Sequence, residues 1–161
     1  MIATYRRLEY ARGYLALGLA RQARDELAAI AEEEQKNVDV QEVWVDVWME
    51  LKSWKRVVRA ARGVCEKRPA GERAWIAWAY ALRELQRVEE AQDVLWRAEK
   101  RYGQNSGLLH YNLACYACLL GNQDEAERRL KRAVSMDTSW RDAALEDPDL
   151  KDLRPRLDAS N

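Results

Sequence analysis

Small and apolar residues return along this chain at a spacing of 34 or 35, with charged faces between them. Four segments beginning at Thr4, Val38, Glu72 and Gly107 lie in phase. Their eighth places hold Ala11, Val45, Ala79 and Ala114, and their twentieth Ala23, Val57, Ala91 and Ala126. The twenty-fourth hold Leu27, Ala61, Leu95 and Leu130, and the twenty-seventh Ile30, Val64, Ala98 and Ala133. A repeat of this length with reserved small or apolar places predicts helical hairpins stacked in series, each burying its apolar face against the next.

The pattern resolves each segment into two helices. First helices are expected over Ala3 to Leu17, Val40 to Leu51, Glu72 to Leu85 and Leu108 to Leu120. Second helices are expected over Ala20 to Glu34, Trp54 to Lys67, Val88 to Tyr102 and Gln123 to Met136. Gly18 and Gly121 fall at the tight turns of segments one and four, where a residue without a Cβ takes positive φ. Lys52 and Gln86 stand at those places in segments two and three, which implies a different turn there. Beyond residue 138 the repeat stops. Asp137-Thr-Ser139 is expected to cap a short helix through Leu145, and Glu146-Asp-Pro148-Asp to force a turn. Leu150, Leu153 and Leu157 then form a second short apolar stripe, and Asp158 to Asn161 a frayed end. With Trp140, Ala144 and Leu145, this region suits a terminal cap; the alternative is a tail that folds back into the groove as an occluding ligand.

The residues at these places resemble the tetratricopeptide repeat (TPR) family. Segment four is the nearest match, with His110-Tyr-Asn-Leu113-Ala114, Gly121, Ala126, Leu130 and Ala133. Segment three offers Trp75, Trp78, Ala79, Ala91, Leu95 and Ala98; segment two offers Trp44, Trp48, Trp54 and Pro69. Segment one has Ala11, Tyr14, Gly18 and Ala23, but Gln35 stands where the family has Pro. The resemblance spans residues 4 to 140. It implies an all-α, right-handed superhelical solenoid of four hairpins (4–37, 38–71, 72–106, 107–140) and a C-terminal capping helix within 141–161. The whole is expected to be one domain over 1–161.

Composition narrows the function. Lys plus Arg and Asp plus Glu both number 27, so there is no basic excess for a nucleic-acid partner. No apolar run reaches the length of a membrane span, and the N-terminus has no apolar signal core. Three cysteines, an odd number in helical stretches, fit a cytoplasmic, reduced protein. Catalytic signals are missing. His110 is the sole histidine and falls at a packing place; no phosphate loop or nucleophile elbow occurs. Cys115-Tyr-Ala-Cys118 has redox or metal spacing, but it lies mid-helix with too few Cys or His partners for a zinc site. It reads as small apolar side chains near a surface. No catalytic residue, cofactor or metal is expected.

The resemblance points instead to the concave groove that the family lines with its first helices. The matching places are Tyr5, Leu8, Arg12 and Leu15; Asp39, Glu42, Asp46, Met49 and Glu50; Arg73, Ile76, Tyr80, Arg83 and Glu84; Leu108, Tyr111, Cys115, Cys118 and Leu119. Asp39, Glu42, Asp46 and Glu50 fall three or four apart, which makes an acidic stripe on one helix. Tyr80 and Tyr111 stand beside Ile76 and Leu108 as aromatic anchors. The co-chaperone clamp for a C-terminal carboxylate is not reproduced: its places hold Leu8, Arg12, Val43, Arg73 and Ala77, or Glu42, Asp46, Ala77, Leu108 and Asn112. Trp96 falls one residue past the core place Leu95, either on an outer face open to a partner or to self-association, or buried by a neighbouring hairpin. The basic clusters Lys52/Lys55/Arg56/Arg59/Arg62 and Arg128/Arg129/Lys131/Arg132 read as solvated surface. The expected function is non-enzymatic binding of a protein or peptide carrying basic residues. The alternatives are an assembly subunit that forms homo-oligomers and a small chaperone.

Overall fold

The computed structural model describes residues 2–67 and 71–158, without the side chains of residues 157 and 158. Pro69, Leu157 and the expected frayed end thus lie outside the described side chains. Among the described residues all regular structure is helical. The chain divides into two compact units, Met1–Leu85 and Gln86–Asn161.

The first unit holds α1 (Thr4–Ala16), α2 (Ala20–Ala28), α3 (Val38–Glu50), α4 (Trp54–Lys67) and α5 (Glu72–Glu84). Helix α1 pairs with α2 and α3 with α4, while α3 also touches α1 and α5. The second unit holds α6 (Val88–Tyr102), α7 (Gly107–Leu119), α8 (Gln123–Met136) and α9 (Ser139–Glu146). A 3-10 helix (Pro148–Leu153) and the short α10 (Arg154–Asp158) follow. The third expected repeat thus has its first helix in one unit and its second in the other.

The repeat places explain these elements. All sixteen residues at places eight, twenty, twenty-four and twenty-seven are buried, at 5% exposure or less. In the first and fourth segments places eight and twenty are all alanine (Ala11 and Ala23; Ala114 and Ala126), which lets α1 approach α2 and the helices of the fourth segment approach each other. In the first unit Leu8, Leu27, Ile30, Val40, Val43 and Val47 close into one cluster, flanked by Tyr14, Trp44 and Trp48. The Trp44 and Trp48 rings stack at 4.7 Å, and the Arg56 guanidinium lies 4.5 Å over Trp48.

Two expectations change. Helix α2 stops at Ala28, six residues before its expected end. Gln35 is the cause: its Nε2 donates to the carbonyls of Leu27 (2.7 Å) and Ile30 (3.0 Å). Its Oε1 accepts from Trp44 Nε1 (3.0 Å), so the residue in place of proline ends α2 and ties it to α3. The turns after α3 and α5 also differ from expectation. Lys52 and Gln86 take φ of 52° and 62°, the left-handed conformation of Gly18 (72°) and Gly121 (79°). At Lys52 the reward is the same pair of end bonds as at the glycines: Lys52 N–H to Met49 O and Ser53 N–H to Trp48 O.

The second unit contains a buried polar network. Arg129, expected on the surface, is 5% exposed. It donates to Glu125 (2.6 Å) and to both oxygens of Glu99, joining α8 to α6. His110 is also 5% exposed; its Nδ1 lies 3.2 Å from Arg129 and its Nε2 2.7 Å from the Gly103 carbonyl. Arginine can only donate, so Nδ1 accepts and Nε2 carries the proton to Gly103. Burial, against the pull of the Gly103 carbonyl, holds the imidazole below its ordinary pKa. Glu99 is held below the usual range chiefly by the Arg129 hydrogen bond.

Two outcomes follow, both read by thermal or urea unfolding. Lys52→Gly should raise stability and Gly121→Ala lower it, each by about 1 kcal/mol, because only the substituent at a left-handed residue changes. His110 has a folded pKa below its unfolded value of about 6.5, so its contribution is present above that value. That contribution is lost as pH falls from about 6.5 toward the folded pKa. Wild type should lose stability over this window, and His110→Leu, which removes the only histidine, should lack that slope.

Candidate functional site

The acidic stripe expected on α3 becomes, in the first unit, one wall of a mixed-charge cleft. Arg12 and Leu15 come from α1; Glu42, Asp46, Met49 and Glu50 from α3; Arg73, Ile76, Ala77 and Tyr80 from α5. The larger part encloses about 540 Å³. Residues four apart on a helix share a face, so Glu42, Asp46 and Glu50 stack along one ridge of α3. Arg73 reaches Asp46 at 2.8 Å while itself 81% exposed. Burial raises the pKa of Asp46 above the usual carboxylate range, against the opposing pull of Arg73 and Arg12. Tyr80 is 39% exposed and meets the Trp54 ring edge-on at 5.7 Å. Asp39, also assigned to the stripe, does not line this cleft; it is exposed in the first turn of α3, where its N–H is capped by Asn37. Arg83 pairs with Glu84 at 3.1 Å. Leu8, a groove place by resemblance, joins the core.

The α7 places behave differently. Leu108 is exposed as expected, at 41%, but Tyr111, Cys115 and Cys118 are buried. They lie under the C-terminal segment, so neither Tyr111 nor Cys115 is an open groove residue. Asp147 is the fastening point. Its Oδ2 accepts from the Tyr111 hydroxyl at 2.8 Å and lies 3.7 Å from the Cys115 thiol. Its Oδ1 accepts from the Asp149 N–H. Leu150 and Leu153 are fully buried. Trp140 lies 4.7 Å from the Tyr111 ring. This approach needs Gly107, since a Cβ there would come within 2.7 Å of Trp140 Nε1. Leu145, expected in the cap core, is 43% exposed. The cap of α9 comes from Asp137, which accepts from the Ser139 N–H.

All three cysteines are free thiols. Cys115 is raised well above the ordinary thiol pKa, by burial first and by the carboxylates of Asp147 and Asp149 next. Burial raises Cys118 as well. Both sulfurs are therefore poor nucleophiles, and neither lies at the surface expected from the sequence. One ligand atom each from Cys115, Asp147 and Asp149 lies within 4.8 Å of the others, close enough for a cation. The hydrogen bonds that Asp147 already accepts account for this arrangement. Asp147 escaped sequence reading because its partners are 32 and 36 residues away; the one signal was Asp147-Pro148 beside a tyrosine needing a hydroxyl partner. Trp96 on α6 is exposed at 43%, which favours the open outer face over burial by a neighbouring hairpin.

No protein-family model and no curated protein matches this sequence. Solved structures do. YrrB, a TPR protein with an unusual peptide-binding site, superposes with a TM-score of 0.74 at 12% identity, over 94% of this chain and 82% of its own. A thermophilic TPR protein of Thermus thermophilus gives 0.68 at 19% identity, over 98% of both chains. MamA from MSR-1 gives 0.73 at 22% identity, over 83% of this chain and 76% of its own. The chain has the helical-repeat fold of the TPR proteins. Among the described residues no helix is long and apolar enough to cross a membrane.

The cleft's electrostatics are testable. Asp46 carries a charge that burial disfavours, and its partner Arg73 is mostly in water. Asp46→Asn should leave the thermal midpoint unchanged or higher at pH 7, because exposed ion pairs contribute about 0–1 kcal/mol. A clear fall in circular-dichroism melts would show that the ion pair outweighs desolvation.

Proposed function

We propose that the chain is a non-enzymatic protein-interaction module that receives a segment of a partner protein in the cleft between α1, α3 and α5. The observation that carries this is the cleft itself: three helices, distant in sequence, bring Leu15, Met49, Ile76 and Tyr80 beside Arg12, Glu42, Asp46, Glu50 and Arg73. Apolar anchors next to oriented charges favour extended segments, because anchors supply burial and charges set register. Arg73 holds Asp46 from solvent, so a basic side chain of the ligand can take its place at little cost. The partner is thus a segment pairing a large apolar residue with Lys or Arg. The TPR fold and the peptide-binding site of the similar YrrB agree with this reading. The expected compartment is the cytoplasm.

A second reading, assembly of copies, is favoured by the exposure of Trp96 on α6 and of Ile2 (45%) and Tyr5 (60%) at the start of the chain. Sedimentation over a range of concentrations separates the two.

The test is peptide-display selection on the full chain, followed by affinity measurement for the selected peptides. Peptides with a basic residue near a large apolar one should emerge. Tyr80→Ala and Glu50→Lys should each weaken them by about tenfold or more, since a central anchor or a reversed charge contributes roughly 1–3 kcal/mol. Unchanged affinity in both variants would move the site away from this cleft. Tyr111→Ala is not a useful probe, because that ring lies in the core of its unit.

A further inference from the structure

The segment Asp147–Leu153 does to α7 what a bound peptide does to a groove. Places five and nine of the repeat, Glu42 and Asp46 on α3 and Ile76 and Tyr80 on α5, line the open cleft of the first unit. On α7 the same places are Tyr111 and Cys115, and there the chain supplies its own occupant. Asp147 meets both side chains, and a 3-10 helix lays Leu150 and Leu153 against the unit at zero exposure. We propose that Asp147–Leu153 is a releasable intramolecular ligand of α7. When it lifts, the α7 face takes, in trans, a segment of the same chemistry: a carboxylate opening a turn, followed by two leucines three residues apart.

Several observations support release over permanent closure. Six residues is long for a 3-10 helix, whose hydrogen bonds are poorer than those of an α-helix. Its ends are held by a handful of polar contacts. On one side are the Tyr111 and Cys115 contacts and the 3.1 Å bond from Arg154 to the Asp147 carbonyl. On the other, Arg156 reaches Asp124 and Glu127 of α8 at the surface, where ion pairs contribute little. The α7–α8 hairpin beneath has its own core: Leu109, Leu113, Ala114, Ala126, Leu130 and Ala133 are buried at places that the repeat provides. A short 3-10 segment laid over an independently packed hairpin is the kind of element that opens locally. The proposal extends the reading that first-helix faces take peptide segments.

Thiol labelling of the full chain tests it without reference to the first-unit cleft. Cys65 is partly exposed and serves as the internal standard, while Cys115 and Cys118 are buried. In wild type, Cys65 should react with a small aromatic disulfide roughly tenfold or more faster than the other two, because those require local opening. In Leu150→Ser/Leu153→Ser all three should react at similar rates with helical content retained. The synthetic peptide Glu-Asp-Pro-Asp-Leu-Lys-Asp-Leu-Arg, residues 146–154, should restore protection saturably. Three results would overturn the proposal. Continued protection in the variant means the segment is not what covers the thiols. Loss of cooperative unfolding means the segment is an integral part of the fold. Exposed thiols that the peptide cannot protect mean the face does not bind segments in trans. Labelling reports on α7 alone, so a first-unit cleft that proves to bind nothing leaves these outcomes unchanged.

Discussion

The close approach of helices at places eight and twenty is the constraint on which the other features rest. Ala11 and Ala23 in the first hairpin, and Ala114 and Ala126 in the fourth, are at zero exposure. In the second hairpin Val45 and Val57 occupy the same two places, also buried. Interiors at native packing density respond to added methylenes with strain of about 1–3 kcal/mol. In the first unit Leu27 and Ile30, at places twenty-four and twenty-seven, span to Val40, Val43 and Val47 of the next hairpin. Because that layer is closed, first-helix residues at places five, nine and twelve are left to project away from it. The cleft of Arg12, Asp46, Met49 and Tyr80 is thus a by-product of how alanine was placed in the core.

The fold was legible because its signal is periodic and redundant. Four copies of the same small-residue pattern constrain helix ends to within a residue or two almost everywhere. The exceptions come from single side chains acting outside the period. Gln35 ends α2 early by capturing two of its carbonyls, and no repeat pattern encodes that. Lys52 shows that a helix-ending pair of hydrogen bonds outweighs the strain of a left-handed non-glycine residue, and Gln86 takes the same conformation. The cleft was legible for its residues but not for its charge. The stripe Glu42-Asp46-Glu50 is visible on one helix, whereas the pairing of Asp46 with Arg73 comes from another helix 27 residues on.

The α7 face shows the opposite case. Its tyrosine and cysteines fit the repeat's groove places, and although a cap is expected after residue 138, local spacing does not show that it covers them. What decides the matter is a contact between Tyr111 and Asp147, 36 residues apart, supported by two leucines whose partners cannot be read from spacing. Arg129 likewise looks like one of a run of surface cations. It is instead buried between Glu99 and Glu125, where losing either carboxylate would leave a charge stranded away from water. Non-local polar contacts specify this unit as firmly as the apolar periodicity does.

The packing of Trp140 against Tyr111 has an optical consequence. Five of the seven tryptophans, at 44, 48, 54, 75 and 78, belong to the first unit, and only Trp96 and Trp140 belong to the second. Trp96 is already in contact with water, so its emission is set by solvent. Trp140 is half-buried and 4.7 Å from a tyrosine ring, close enough for that ring to pass its excitation on with high efficiency. The second unit therefore contains a native donor and acceptor pair across the junction between its repeat and its C-terminal segment. With the other tryptophans silenced, the chain becomes a fluorescence gauge of its own closure, with no dye attached.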